Sequence, residues 1–213
     1  MSKQINVIDQ PNDPSIKGQL DRLGLESHSN ALVQFIKRTN TPITIGIQGS
    51  WGSGKTSILN AIKHKLDPNS DNKNKGEYYQ IWINTWEQSL MMTPEESLIK
   101  ILSSIINDLV KADSSAENRE KIQKNIKMGL SSLVRLSANI VGGDKASDLV
   151  EELIGEENNT IKEIRDQLKT ISENIRKRDT NPIRKIVIYV DDLDRIEPKN
   201  AVSILELLKN ILT

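Results

Sequence analysis

Between Gly46 and Ile62 the chain reads GIQGSWGSGKTSILNAI, and Gly49 to Thr56 fit G-x-x-x-x-G-K-[ST] without a gap. Each residue type answers a requirement of phosphate chemistry. Glycines let successive backbone N–H groups converge on an anion, and a helix that starts there adds its positive dipole end. Lys55 brings a cation to the outer phosphates of a nucleoside triphosphate, and the Thr56 hydroxyl suits Mg²⁺. Gly49, Trp51, Gly52, Ser53, Gly54, Lys55, Thr56 and Ser57 are therefore the candidate nucleotide contacts. A plain glycine-rich turn would not need a β-branched run before it and an apolar helical pattern after it, and this segment has both.

Hydrolysis calls for acids, and IVIYVDD supplies them at Asp191 and Asp192. Apolar residues Ile186 to Val190 read as a buried strand, and α/β sheets place their ligands beyond the carboxyl ends of such strands. Asp191 is the candidate Mg²⁺ partner, and Asp192 is placed to polarise an attacking water. The competing reading is an acidic strand end that caps the next helix.

The elements that must hold these residues are legible in the patterning. Residues 1–20, with Pro11 and Pro14, read as an extended polar arm. LGLESHSNALVQFIKRT predicts an amphipathic helix starting near Ser29 or Asn30 and ended by Pro42. ITIGIQ, Ile43 to Gln48, predicts a short buried strand leading into the phosphate loop, and a helix runs from Thr56 to Leu66. YYQIWIN predicts a second strand, Tyr78 to Asn84. Thr93, Pro94 and Glu96 form a helix start, with Leu98, Ile101, Leu102, Ile105 and Leu109 on one face. Further helical segments extend to about Ala138 and over Ala146 to Ile154. Ile161, Ile164, Leu168, Ile171 and Ile175 then recur as a short coiled-coil seam or as the buried face of a helix packed on its neighbours. Pro198 opens a last helix.

Lys plus Arg equal Asp plus Glu at 29 each, which argues against a chain-wide attraction to nucleic acid or anionic lipid. There is no cysteine, which removes disulfides and thiolate metal sites and suits a reducing cytoplasm. The most apolar stretch, Ile126 to Gly143, carries Lys127, Arg135 and Asn139 and falls short of the roughly 20 apolar residues a bilayer demands. It reads as a helix against protein or, in the other reading, peripherally on a membrane surface.

GIQGSWGSGKTS, IWINTWEQS and IVIYVDDLDRIEP together resemble the KAP family of P-loop NTPases, from about Asp21 to the end of the chain. The resemblance implies an α/β three-layer fold of the AAA+/ASCE kind, with a parallel sheet ordered 5-1-4-3-2 and a mostly helical insertion at about 93–180. In that order strands four and five would follow Thr213, so the sheet is expected to be incomplete in this chain. The activity implied is ATP binding with Mg²⁺-dependent hydrolysis driving a conformational switch, in a setting of defence against phage. The alternative is a nucleotide-binding interaction module with negligible turnover, in which the insertion meets a protein partner or a second copy. A small-molecule phosphotransferase would need a lid with arginines, and the insertion's basic residues are too dispersed for one.

By position, the resemblance also makes Leu23 and Gly24 candidate base contacts; the residues alone fit a helix-starting turn equally well. Asn84, at the end of a strand expected beside that of Asp191, is either the polar residue that holds the catalytic acid or a strand-end turn. Arg195 pairs with an acid locally or reaches a neighbouring subunit. Trp51, Trp82 and Trp86 are expected to pack the base of the site, with nucleobase stacking as the other reading. His28 and His64 are expected at the surface without metal partners.

Overall fold

The computed structural model describes residues 11–14, 24–66, 77–89, 94–112, 159–177, 183–198, 201–202, 205 and 208–209. The arm outside 11–14, Leu23, Thr93 and the expected helices between 113 and 158, including Ile126 to Gly143, lie outside these residues. The chain divides into two compact units, Met1–Asn74 and Lys75–Thr213.

In the first unit, helix α1 (Glu26–Arg38) packs on helix α2 (Lys55–Leu66). Val33 of α1 and Ile58, Ile62 and Leu66 of α2 are buried. Helix α1 starts before Ser29, at Glu26, because the Ser29 hydroxyl is not a cap. It is fully buried and donates to the Glu26 carbonyl at 2.9 Å. The Lys65 ammonium of α2 donates to that same hydroxyl (2.8 Å), to Asn30 Oδ1 (2.5 Å) and to the Glu26 carbonyl (3.3 Å). One lysine thus uses all three of its donors to tie α2 to the first turn of α1. Helix α1 ends at Arg38, before Pro42, which follows a cis Thr41–Pro42 peptide bond.

The strand expected over Ile43 to Gln48 is not formed: these residues carry no ladder pairing, and Ile43 and Ile45 are exposed. A strand exists through its hydrogen-bonded neighbour, and among the described residues of this unit there is none.

The second unit is built on a parallel pair, β1 (Tyr78–Asn84) and β2 (Lys185–Asp191), in register from Tyr78↔Lys185 to Asn84↔Asp191. The period of two sorts the side chains. Tyr79, Ile81, Ile83, Ile186, Ile188 and Val190 share the face that joins the main core. Gln80, Trp82, Asn84, Tyr189 and Asp191 share the other. Helix α3 (Thr85–Ser89) follows β1 directly; α4 (Pro94–Ala112) packs on β1, and α5 (Asn159–Arg176) packs on α4. Of the face expected on α4, Ile101, Leu102, Ile105 and Leu109 are buried. Leu168, Ile171 and Ile175 of the expected seam are buried as well, in the cluster formed with α4. The packed-helix reading of the seam is thus the one observed. A 3-10 turn, Leu193–Arg195, follows β2, and Pro198, Ala201, Val202, Leu205, Leu208 and Lys209 are helical.

Two strands hold one adjacency of the expected sheet order, that between the Asn84 and Asp191 strands. Among the described residues no helix is long and apolar enough to cross a membrane. Ile171 is fully buried at the contact of α4 and α5, so Ile171→Val is expected to lower unfolding stability by about 0.5–1.5 kcal/mol. A denaturant titration with an unchanged m-value checks it; a wild-type midpoint would place Ile171 outside the cooperative core.

Candidate nucleotide site and acidic strand end

Residues 49–54 turn the chain sharply into α2, which begins at Lys55. Gly52 (φ 74°) and Gly54 (φ 89°) sit where a β-carbon is penalised, so the loop requires glycine there. At Gly49 the reason is close approach, since a β-carbon would collide with Ser53 Oγ. The Ser53 N–H donates to the Ser50 carbonyl (3.2 Å), and the Ile58 N–H to the Gly54 carbonyl (2.9 Å), so the α-helical pattern starts as the loop ends. The Lys55 ammonium lies over the loop, donating to the carbonyls of Gly49 (3.1 Å) and Ser50 (3.4 Å).

The first turn of α2 contains no acidic residue. Helix N-termini favour acids because unpaired N–H groups and the dipole make them positive. Here a lysine stands instead, and the positive end is left for an anion from outside. The glycine conformations, the placement of Lys55 and the acid-free first turn fit a bound polyphosphate. Ser57, next along α2, is buried, and its hydroxyl accepts the Asn12 N–H at 2.9 Å. Asn60 Nδ2 donates to the Asn12 carbonyl (3.4 Å), so residues 11–14 lie against the helix behind the loop. Nothing in the polar arm's composition signalled that contact. Gly24, at φ 64°, precedes Leu25, the N-cap of α1.

In the second unit the structure brings Asn84 and Asp191 together as register partners on one sheet face. Asn84 also caps α3, its Oδ1 accepting the Glu87 N–H at 3.2 Å. Asp191 is buried, and its Oδ1 accepts the N–H of Asp192 at 3.0 Å. Asp192 adopts the left-handed conformation (φ 58°, ψ 26°), a region short polar residues tolerate better than others. Its carboxylate pairs with Arg195 Nε at 2.5 Å across the 3-10 turn. Of the two options for Arg195, the local pair is present. A contact the sequence did not signal is that of Thr85, whose buried hydroxyl donates to the Asp191 carbonyl at 2.8 Å.

The tryptophans divide. Trp82 stacks on its register partner Tyr189, with ring centroids 5.3 Å apart and planes inclined by 27°. Trp51 (67 % exposed) and Trp86 (38 %) do not pack a core. Trp51 stands in the loop that precedes α2. His28 is exposed and His64 half-buried.

Tyr189 donates its hydroxyl to Gln80 Oε1 at 2.6 Å, and burial pushes its pKa well above the ordinary value. Tyr78 is raised too, by desolvation first, with Arg184 opposing and Glu77 assisting. A tyrosine whose folded pKa is raised contributes stability in full below the unfolded value, about 10. That stability is lost as pH rises from there toward the folded value. Unfolding midpoints are therefore expected to fall above about pH 10, and to fall less steeply in Tyr189→Phe. Parallel pH profiles for the two proteins would refute the assignment.

Parallel pairing, helices packed on the sheet and a glycine loop opening a helix place the chain in the α/β phosphate-loop class. Comparison with known families narrows this: residues 26–213 match the KAP family P-loop domain, and the chain belongs to that family. It is 22% identical over 182 residues to the Phage T7 exclusion protein of Escherichia coli (strain K12), an alignment covering 78% of this chain and 24% of that protein. The chain thus spans about a quarter of that relative's length. No solved structure matches.

Proposed function

We propose that the chain binds ATP through residues 49–57 and, with Mg²⁺, hydrolyses it to drive a conformational switch. The observation that carries the reading is the start of α2. Two glycines at positive φ lead into a helix whose first turn holds Lys55 and no acid. Lys55 exchanges its loop carbonyls for phosphate oxygens. Thr56 and Asp191 are by their chemistry the Mg²⁺ ligands, and Asp192 orients water and takes its proton. Asn84 acts on the acid from its register partner's side, Leu23 and Gly24 contact the base, and Trp51 and Ser57 complete the loop contacts. Bound Mg²⁺ supplies charge neutralisation to the phosphates.

Kinship with a protein named for phage exclusion supports a role in defence against phage. The cysteine-free composition suits the cytoplasm, and the 93–180 segment meets a protein partner or a second copy. The second reading, a nucleotide-gated interaction module without turnover, draws on one observation. The Asp192 carboxylate is engaged by Arg195 rather than by a water-facing partner. Fluorescent ATP titrated with and without Mg²⁺, beside phosphate release, separates the two. Binding with release supports hydrolysis, binding without release supports the module, and absence of binding overturns both.

A further inference from the structure

The ladder between β1 and β2 ends at Asn84 and Asp191, because β1 turns into α3 at the next residue. A parallel strand relies on its neighbour for donors to its carbonyls. Where β1 leaves, the Asp191 carbonyl would lose its supply. Thr85 provides it: the side chain is fully buried, and its hydroxyl donates to that carbonyl across 106 residues of sequence.

Just beyond stands Asp192 in the left-handed conformation, which a short polar side chain can hold with the help of local hydrogen bonds. Three further bonds there are local. The Asp192 N–H donates to Asp191 Oδ1, the Arg195 N–H to the Asp192 carbonyl (3.2 Å), and Arg195 Nε to the Asp192 carboxylate. All three would move together if the strand end rotated. The Thr85 bond, by contrast, ties the Asp191 peptide to the start of α3.

We propose that Thr85 is a positioning residue, whose buried hydroxyl fixes the peptide of Asp191 and through it the setting of both acidic side chains. Its consequence for turnover rests on the ATPase reading; its consequence for the backbone does not. Were the hydroxyl merely satisfying a buried carbonyl, its loss would lower stability and nothing else.

The test uses the full chain with Thr85→Val, which keeps the shape and removes the donor, and Thr85→Ser, which keeps the donor. Hydrogen exchange of residues 192–195 is followed in each, with kcat, KM for ATP and the Mg²⁺ concentration giving half-maximal turnover. In Thr85→Val, exchange at 192–195 is expected to quicken, and kcat to fall roughly tenfold, the scale of an unmet buried acceptor expressed as a rate. The Mg²⁺ requirement rises and KM for ATP stays unchanged. Thr85→Ser restores all of these. A lowered melting temperature with wild-type exchange, kcat and Mg²⁺ requirement would overturn the proposal. If Thr85→Val does not fold, Thr85→Cys, a weak donor of similar bulk, takes the same measurements with the same criteria. Wild-type protein without Mg²⁺-dependent turnover would refute the ATPase reading, and the exchange comparison then decides Thr85 alone.

Discussion

Lys55→Ala is expected to weaken ATP binding about ten- to hundredfold, since a charge-assisted hydrogen bond contributes about 1.5–3 kcal/mol and each 1.4 kcal/mol is a factor of ten. The fold should survive. Lys55 donates to the loop carbonyls of Gly49 at 3.1 Å and Ser50 at 3.4 Å, and those carbonyls can turn to water. Alanine is also the best helix former available to the start of α2. The same loop geometry says why the loss should be large. Along α2 the next cationic side chain is Lys63, in the last turn, so the first turn of the helix brings no second cation to the loop. Titration of fluorescent ATP with Mg²⁺, beside a thermal melt, checks both halves. An unaltered affinity would remove the phosphate loop from the binding site; a collapsed melt would mean Lys55 is structural.

What could be read in the sequence depended on whether a signal was local. The helices α4 and α5 were legible because their apolar faces repeat every three to four residues, and Ile105, Ile171 and Ile175 are fully buried as the spacing requires. The parallel strands were legible as short β-branched runs, and the adjacency of Asn84 and Asp191 followed from the family resemblance and is present in the register. The Ile43 to Gln48 run has the same composition and forms no strand. Composition marks a segment able to pair, but pairing is a property of two segments. The start of α1 was misplaced for a similar reason. Ser29 has the chemistry of a cap, yet its hydroxyl is used by Glu26 and by Lys65, 36 residues away. Trp51 and Trp86 are expected to pack the base of the site on size alone, and both are exposed. Thr85 had no signal at all, because its partner is a backbone carbonyl distant in sequence, and a carbonyl is identical at every position.

The acid pair leads to the second large effect: Asp192→Asn is expected to keep ATP bound while slowing its hydrolysis by about two to four orders of magnitude, the range contributed by a positioned general base. The substitution is conservative where it must be. Asparagine tolerates the left-handed conformation that Asp192 holds at φ 58°, its backbone N–H still reaches Asp191 Oδ1, and its volume is unchanged. What it loses is the ability to accept a proton and its charge opposite Arg195. Arg195→Gln separates those two losses, since it removes the ion pair and leaves the carboxylate. If proton acceptance is the function, Asp192→Asn should be far slower than Arg195→Gln; if the ion pair is what counts, the two should be alike. Asp191→Asn serves as the contrast. Its remaining oxygen can still accept the Asp192 N–H, so the turn should persist, while weaker binding of Mg²⁺ lowers affinity for the metal–nucleotide complex rather than turnover at saturation. Phosphate release at saturating Mg²⁺ and ATP, with affinity measured separately, reads each variant. Parental turnover in Asp192→Asn would move the water-orienting role to another residue, with Asn84, the register partner of Asp191, the first to examine.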